Sequence, residues 1–368
     1  MNFGTIIIRW YKKNKRELPW RDTRNPYLIW LSEIILQQTR VEQGLSYYLR
    51  FAEKYPNVKS LANAKEDDVL KLWQGLGYYS RARNLYKAAK KIVAEFSGKF
   101  PTEYHNIKSL NGVGDYTAAA ISSFAFDQKY PVVDGNVYRV LSRYFGIETP
   151  IDSTSGKKEF TNLAGELMNE FPPAIYNQAI MEFGARQCCP SNPDCERCPL
   201  NSTCFSFKYK TVLLFPIKKN KTKTKKRYFN YLVIKNNNNF FIKKRNDKDI
   251  WQGLYDFPLI ETNERITETK LLCSDEWEKT FKGQKIKLHS TSTEFKHILS
   301  HQHIHAKFYE ILTDITFFNE AKPEWKRVDS KSVKSFAVPR LIDIYLENNA
   351  SSNRMVQKSK KRHSNKLY

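Results

Sequence analysis

Glu33 lies in the stretch SEIILQQTR, residues 32–40, where a charge is out of keeping with its neighbours. Asn25-Pro26 marks a helix start, because Asn caps well and Pro suits the first turn. At helical spacing Glu33 then shares its face with Ile29, Trp30, Leu36 and Gln37. An apolar setting withholds solvation from a carboxylate, so such a group keeps its proton near neutral pH and can act as a general acid. A buried glutamate satisfied by a backbone or arginine partner explains the same pattern without chemistry. Asp134, in PVVDGNVYRVLSRYFG at 131–146, sits where a strand-like run turns helical. It can cap the helix over 136–145, carry a second reactive carboxylate, or do both.

Two further groupings carry possible chemistry. Cys188, Cys195, Cys198 and Cys204 form C-x6-C-x2-C-x5-C, with Pro190, Pro193 and Pro199 suiting a loop wrapped around a cofactor. In a reducing compartment four such thiols point to zinc or an iron–sulfur cluster, and spacing does not decide between them. A site that does no more than staple the chain end explains the same spacing. Cys189 and Cys273 are expected to be buried spectators. In SLNGVGDYTAAAISSFAF, residues 109–126, a helix ends near Leu110, Gly112-Val113-Gly114 makes a tight turn, and a small-residue helix begins at about Asp115. Backbone N–H groups at such a start can face a DNA phosphate, although a plain packing corner has the same shape.

The elements that must position these groups fall into two halves. From Asn2 to about Tyr209 the pattern is helical, with amphipathic stretches at 66–72, 82–96 and 161–169. Residues 210–227 read as a basic linker. After it, 228–235 and 240–245 read as two strands joined by the Asn-rich turn 236–239, opening a small α+β domain that runs to about Tyr345. At 368 residues, two domains are expected. The formal charge is +23, of which residues 218–227 supply seven and 351–368 six, leaving +10 for the rest. A solvated linker and a disordered tail explain the two clusters; the remainder favours a polyanion such as nucleic acid. No apolar run approaches a membrane span and no signal peptide is visible, so a cytoplasmic, DNA-associated protein is expected.

In order, SEIILQQT, GLGYYSRARNL, LNGVGDYTA, VDGNVYRVLSR and the four cysteines resemble the helix-hairpin-helix DNA glycosylase superfamily, and within it the MutY-type adenine DNA glycosylases. The resemblance spans residues 3–205. It implies a mainly α catalytic domain over 1–208, a [4Fe–4S] cluster on the four cysteines, and a hairpin at Gly112, Val113 and Gly114 that grips double-stranded DNA. It makes Glu33 the acid that protonates adenine N7 and Asp134 the carboxylate that stabilises an oxocarbenium-like sugar, a division of labour shared with glycoside hydrolysis. Tyr116 and Asn136 complete the catalytic set. Arg21, Gln178 and Trp20 match positions around the extruded base, while Gln38 and Tyr78 match positions that wedge beside the opposing purine. Tyr79 is expected to be core. Endonuclease III shares the fold and cluster but needs a lysine at the start of the second hairpin helix. Tyr116 stands there, and no lysine lies between Leu110 and Asp127. Base removal by water, leaving an abasic site, is therefore expected.

Residues 228–347 resemble the Nudix-like domain that these glycosylases append, through the first hairpin, WQGLYDFP at 251–258 and ILSHQHIHAKFYEI at 298–311. A working Nudix hydrolase needs a glutamate-rich helix for magnesium, and none is present. The domain should recognise 8-oxoguanine opposite adenine, with Ser300 as its hydrogen-bonding residue. The family's Phe-Ser-His reads Leu299-Ser300-His301 here, which puts the aromatic contact in question. Trp251, Tyr255 and Phe257 are assigned to the core. The resemblance implies a monomer acting on A:8-oxoguanine and A:G mispairs, with a basic tail at 348–368. The alternatives are a bifunctional endonuclease III-like enzyme, a T:G mismatch glycosylase, and a non-catalytic iron–sulfur protein that binds DNA.

Overall fold

The computed structural model describes residues 2–219, 224–282, 286–313 and 324–348. The helices of the first half are α1 Phe3–Asn14, α2 Pro26–Leu36, α3 Val41–Lys54, α4 Val58–Ala62, α5 Glu66–Leu72 and α6 Ser80–Glu95. They continue as α7 Tyr104–Lys108, α8 Asp115–Phe126, α9 Gly135–Phe145, α10 Thr154–Met168, α11 Pro173–Arg186 and α12 Phe205–Lys208. The second half holds β1 Lys225–Asn236, β2 Asn239–Lys244, β3 Tyr255–Asp256 and β4 Leu259–Thr262. After α13 Glu268–Leu272 and α14 Asp275–Phe281 come β5 Leu288–Thr291, β6 Phe295–Ile298, β7 Gln302–Leu312 and β8 Trp325–Asp329. The chain divides into two compact units: residues 1–64 with 84–221, and residues 65–83 with 222–368.

In the first unit, α2 begins where the sequence says it should. Asn25 Oδ1 accepts from the Tyr27 amide at 3.0 Å, and Pro26 occupies the first turn. The helix is apolar nearly all round, which fits an element enclosed by others; Ile29, Trp30, Leu31, Ile34 and Ile35 are at most 1% exposed. Small residues let α8 lie close beside α2, with Ala118, Ala120 and Ile121 fully buried. A second apolar cluster joins α1, α9, α10 and α11 through Ile7, Leu141, Phe160, Tyr176 and Phe183.

The second unit carries a mixed eight-stranded sheet. β1 runs parallel to β7 from Lys225↔Gln302 to Lys235↔Leu312 and antiparallel to β2 and β4. The β1–β2 hairpin turns at Asn237, whose φ of 51° is a conformation asparagine tolerates better than most residues. Leu232, Ile234, Tyr309 and Ile311 pack on one face beneath Leu271, Trp277 and Phe281 from α13 and α14. The strand starts earlier than composition suggested. Arg227, expected in the linker, is the third residue of β1, where Glu261 and Asp249 both clasp its guanidinium, at 2.6 and 2.7 Å. Ion pairing and ladder bonds thus recruit basic residues that read as solvated chain. Linker residues 220–223 and tail residues 349–368 lie outside the described residues.

Candidate active site

Glu33 comes from the middle of α2 and is 8% exposed, the charged member of an apolar helix. Burial pushes its carboxyl up to about 7. Nearby Asp134 reinforces the rise, while the Tyr116 hydroxyl bonded to it and Arg21 oppose it. Asp134 stands at the start of α9 and caps it, Oδ1 accepting from the amides of Asn136 and Val137 at 2.9 and 2.8 Å. Its Oδ2 accepts from Asn136 Nδ2 at 2.7 Å. Burial raises Asp134 too, but these three donors favour its ionised form and hold the rise back. The cap and the second carboxylate are one residue.

Both carboxylates, with Tyr116, Asn136, Trp20, Arg21 and Gln178, line one cavity of about 440 Å³. That volume suits a nucleobase with room for water. Trp20 is buried edge-on against Tyr48, with ring centroids 5.0 Å apart. Gln38 is exposed with φ 56° and does not line the cavity. The hairpin also has its expected form. Gly112 holds φ 77°, Gly114 begins α8 without a side-chain cap, and Val113 is buried. The first N–H groups of α8 therefore have no side-chain acceptor from the residue before them. Asp115, at this helix start, is ion-paired to Lys108 and accepts from the Tyr104 hydroxyl at 3.0 Å.

Cys188, Cys195, Cys198 and Cys204 line a common apolar cavity beside Arg143 and Phe207. Burial pushes the Cys198 thiol up to about 12, and the neighbouring cysteines add to the rise. Four half-buried thiols on one cavity suit a cationic group that takes thiolates. Among the described residues no group of His, Cys, Asp or Glu is arranged to hold a single metal ion. Cys189 does not line this cavity and is half-buried rather than buried, its Sγ donating to the Arg186 carbonyl at 3.1 Å near the end of α11. Cys273 is exposed rather than buried, because it sits between the short helices α13 and α14.

In the second unit, Leu299 and Gln302 bond to each other through both backbone groups, leaving Ser300 and His301 at the tip of the β6–β7 hairpin. The Ser300 hydroxyl meets the hydroxyl of Tyr78, a residue 222 positions away. Tyr78 is 44% exposed and adopts φ 48°, a strained backbone for a non-glycine residue. Leu299, His301 and Trp251 line the adjoining cavity of about 470 Å³. Phe257 is core as expected, whereas Tyr255 is only half-buried because its hydroxyl reaches out to donate to Asp67 Oδ2 at 3.1 Å; Tyr79 and Trp251 are buried yet also line this cavity.

Residues 31–167 match the HhH-GPD superfamily of base excision DNA repair proteins, and residues 230–348 match the NUDIX domain. Adenine DNA glycosylase of Buchnera aphidicola subsp. Schizaphis graminum is 36% identical, over 94% of this chain and 98% of that protein. The chain belongs to the adenine DNA glycosylase family. The Homo sapiens member is 42% identical over 55% of this chain and 39% of that one. Among solved structures, a thermostable thymine-DNA glycosylase aligns at 30% identity and a TM-score of 0.53, covering 95% of that chain but 56% of this one.

Two residues missed by sequence reasoning support the family's cavity. Glu182 of α11, 1% exposed, accepts from Arg16 Nε at 2.8 Å and from Arg21 Nη2 at 2.6 Å. Burial works to raise this carboxyl, but the two guanidiniums outweigh it and hold it down at about 2. Its partners lie 166 and 161 residues earlier in the chain, so no neighbouring residue in the sequence announces them. Arg139 donates from Nη2 to Asn136 Oδ1 at 2.8 Å and from Nε to the Cys188 carbonyl at 2.8 Å, linking the residue that orients Asp134 to the cysteine loop. Gly184 permits this closeness, since a Cβ there would meet Asn136 Cβ at 2.7 Å. No helix of the described residues is long and apolar enough to cross a membrane.

Proposed function

We propose that this protein is a monofunctional adenine DNA glycosylase that removes adenine paired with 8-oxoguanine, or with guanine, from double-stranded DNA. The observation that carries the reading is the pair of carboxylates on one cavity with unlike partners: Glu33 held up at about 7, and Asp134, raised by burial too, supplied with three donors that favour its ionised form. Adenine departs poorly as an anion. A protonated Glu33 gives its hydrogen to N7, and the bond between N9 and C1′ breaks with its electron pair going to the base. Asp134 offsets the positive charge left on the sugar, with Asn136 and Arg139 fixing its orientation. Water then adds to C1′ and returns a proton to Glu33, leaving an abasic site. Tyr116, in place of a lysine, offers no amine for strand cleavage.

Residues 1–208 would carry this chemistry on a single chain acting as a monomer. Gly112 to Gly114 would hold a phosphate, and Trp20, Arg21 and Gln178 would surround the extruded base. Gln38 and Tyr78 would fill the gap. Residues 228–347 would read the opposing base through Ser300, and the basic segments 209–227 and 348–368 would add sequence-independent attraction to DNA. Cys188, Cys195, Cys198 and Cys204, which line one apolar cavity, would hold the [4Fe–4S] cluster that the family resemblance implies. When bound, it would take thiolate coordination from these four cysteines and so anchor loop 188–204. The test incubates purified protein with duplexes holding A opposite 8-oxoguanine, G, C or T. Alkali-dependent breaks at A opposite 8-oxoguanine support the reading; breaks without alkali, or none, overturn it.

A further inference from the structure

Tyr11 of α1 has no part in the chemistry described above, yet it touches two walls of the cavity. It is 7% exposed. Its hydroxyl donates to Gln178 Oε1 at 2.7 Å, and the Arg21 guanidinium lies 5.7 Å from its ring centroid. Arg21 is fixed on its other sides by Glu182 Oε2 at 2.6 Å and the Arg16 carbonyl at 2.9 Å. Donating to Oε1, the phenol holds the Gln178 amide with its oxygen toward Tyr11. With Oε1 taken, the Gln178 Nε2 group is left with two hydrogens and no protein acceptor among the described residues, on a side chain that lines the cavity.

We propose that Tyr11 is a positioning residue that sets the hydrogen-bond polarity of the base-binding wall: it holds back the Gln178 oxygen so that the amide nitrogen meets a ring-nitrogen acceptor of the extruded purine. The inference rests on the adenine reading of this site. Adenine offers acceptors at N1 and N3, whereas guanine keeps N3 but carries hydrogen on N1, so a fixed donor from Gln178 selects adenine where it faces N1 and serves binding alone where it faces N3. Glu33 acts at N7, on a different part of the ring, so the two functions separate.

The experiment measures single-turnover release by wild type and Tyr11→Phe from duplexes carrying adenine, 1-deazaadenine or 3-deazaadenine opposite 8-oxoguanine. The ratio of the two enzymes on each base cancels that base's own reactivity. Tyr11→Phe keeps the ring but loses the donor, and it should slow adenine release about five- to tenfold without moving the pH midpoint. On whichever analogue lacks the bonded nitrogen the two enzymes should run alike. Equal slowing on all three bases, or none on adenine, overturns the proposal. Gln178→Glu guards against a folding defect in Tyr11→Phe. It still accepts from Tyr11 but presents oxygen to the base, and should be slowed on adenine and relieved on the same analogue; full activity on adenine also overturns the proposal. Wild type that releases no adenine at all identifies failure of the adenine reading itself, and the Tyr11 role falls with it.

Discussion

Replacing Glu33 with glutamine should make the protein inactive and, above neutral pH, more stable. A glutamate in the unfolded chain titrates near 4.5, and burial carries Glu33 to about 7 in the fold. A raised carboxyl contributes stability that is fully present below the unfolded value and is lost as pH rises through the folded one. The full loss is about 3 kcal/mol, from about 1.4 kcal/mol for each tenfold change in proton affinity. Near pH 5.5 roughly 1.4 kcal/mol of it has already gone, because the unfolded chain is ionised and the folded one is not. By pH 8.5 nearly all of it has gone. The advantage of Glu33→Gln over wild type should therefore grow by about 2 kcal/mol between these pH values. Denaturant unfolding of both proteins, followed by a signal from the first unit, measures the difference. Titrating groups remote from the cavity are common to both and cancel, leaving Glu33 and its coupling to Asp134 and Tyr116 as the difference. An advantage that stays constant with pH would falsify the claim that Glu33 is held uncharged by its surroundings.

Tyr116→Phe removes a hydrogen bond that favours the ionised Glu33, so the alkaline limb of the excision profile should move to higher pH; a limb that stays put or moves down contradicts the pairing. Ser300→Ala removes the hydroxyl that meets Tyr78, and should narrow the preference for 8-oxoguanine over guanine in paired excision assays. An unchanged preference places recognition elsewhere. Cys198→Ser should abolish the visible absorption of an iron–sulfur cluster and lower the melting temperature of the first unit, whereas Cys273→Ser should leave both as they are, because Cys198 lines the sulfur cavity and Cys273 does not.

Local chemistry made part of this legible in advance. The Asn25-Pro26 start, the Gly112 turn and the Asp134 cap each depend on a few adjacent residues, and the structure forms all three as the sequence suggests. Periodicity alone was enough to mark Glu33 as a misplaced charge. It was less helpful where partners are distant. Glu182 is buried because Arg16, 166 residues earlier, comes to meet it, and no local pattern in α11 says so. The parallel pairing of β1 with β7 is equally non-local, and it drew Lys225 to Arg227 out of a stretch that reads as linker. Tyr78 and Ser300 each entered through family resemblance, but their contact across 222 residues follows only from the fold. Residues 65–83 are helical by pattern, while their inclusion in the compact unit that holds the sheet is a tertiary fact.

The most direct measurement is the single-turnover rate of adenine release from an A:8-oxoguanine duplex, for wild type and Glu33→Gln, from about pH 5.5 to 9. With Glu33 titrating at about 7, wild type should slow by about tenfold per pH unit once past that value. Glu33→Gln should be slower by about a hundredfold or more at low pH and should lack the break in its profile. A wild-type rate that is flat across this range, or a glutamine variant that keeps pace with it, contradicts proton donation by Glu33.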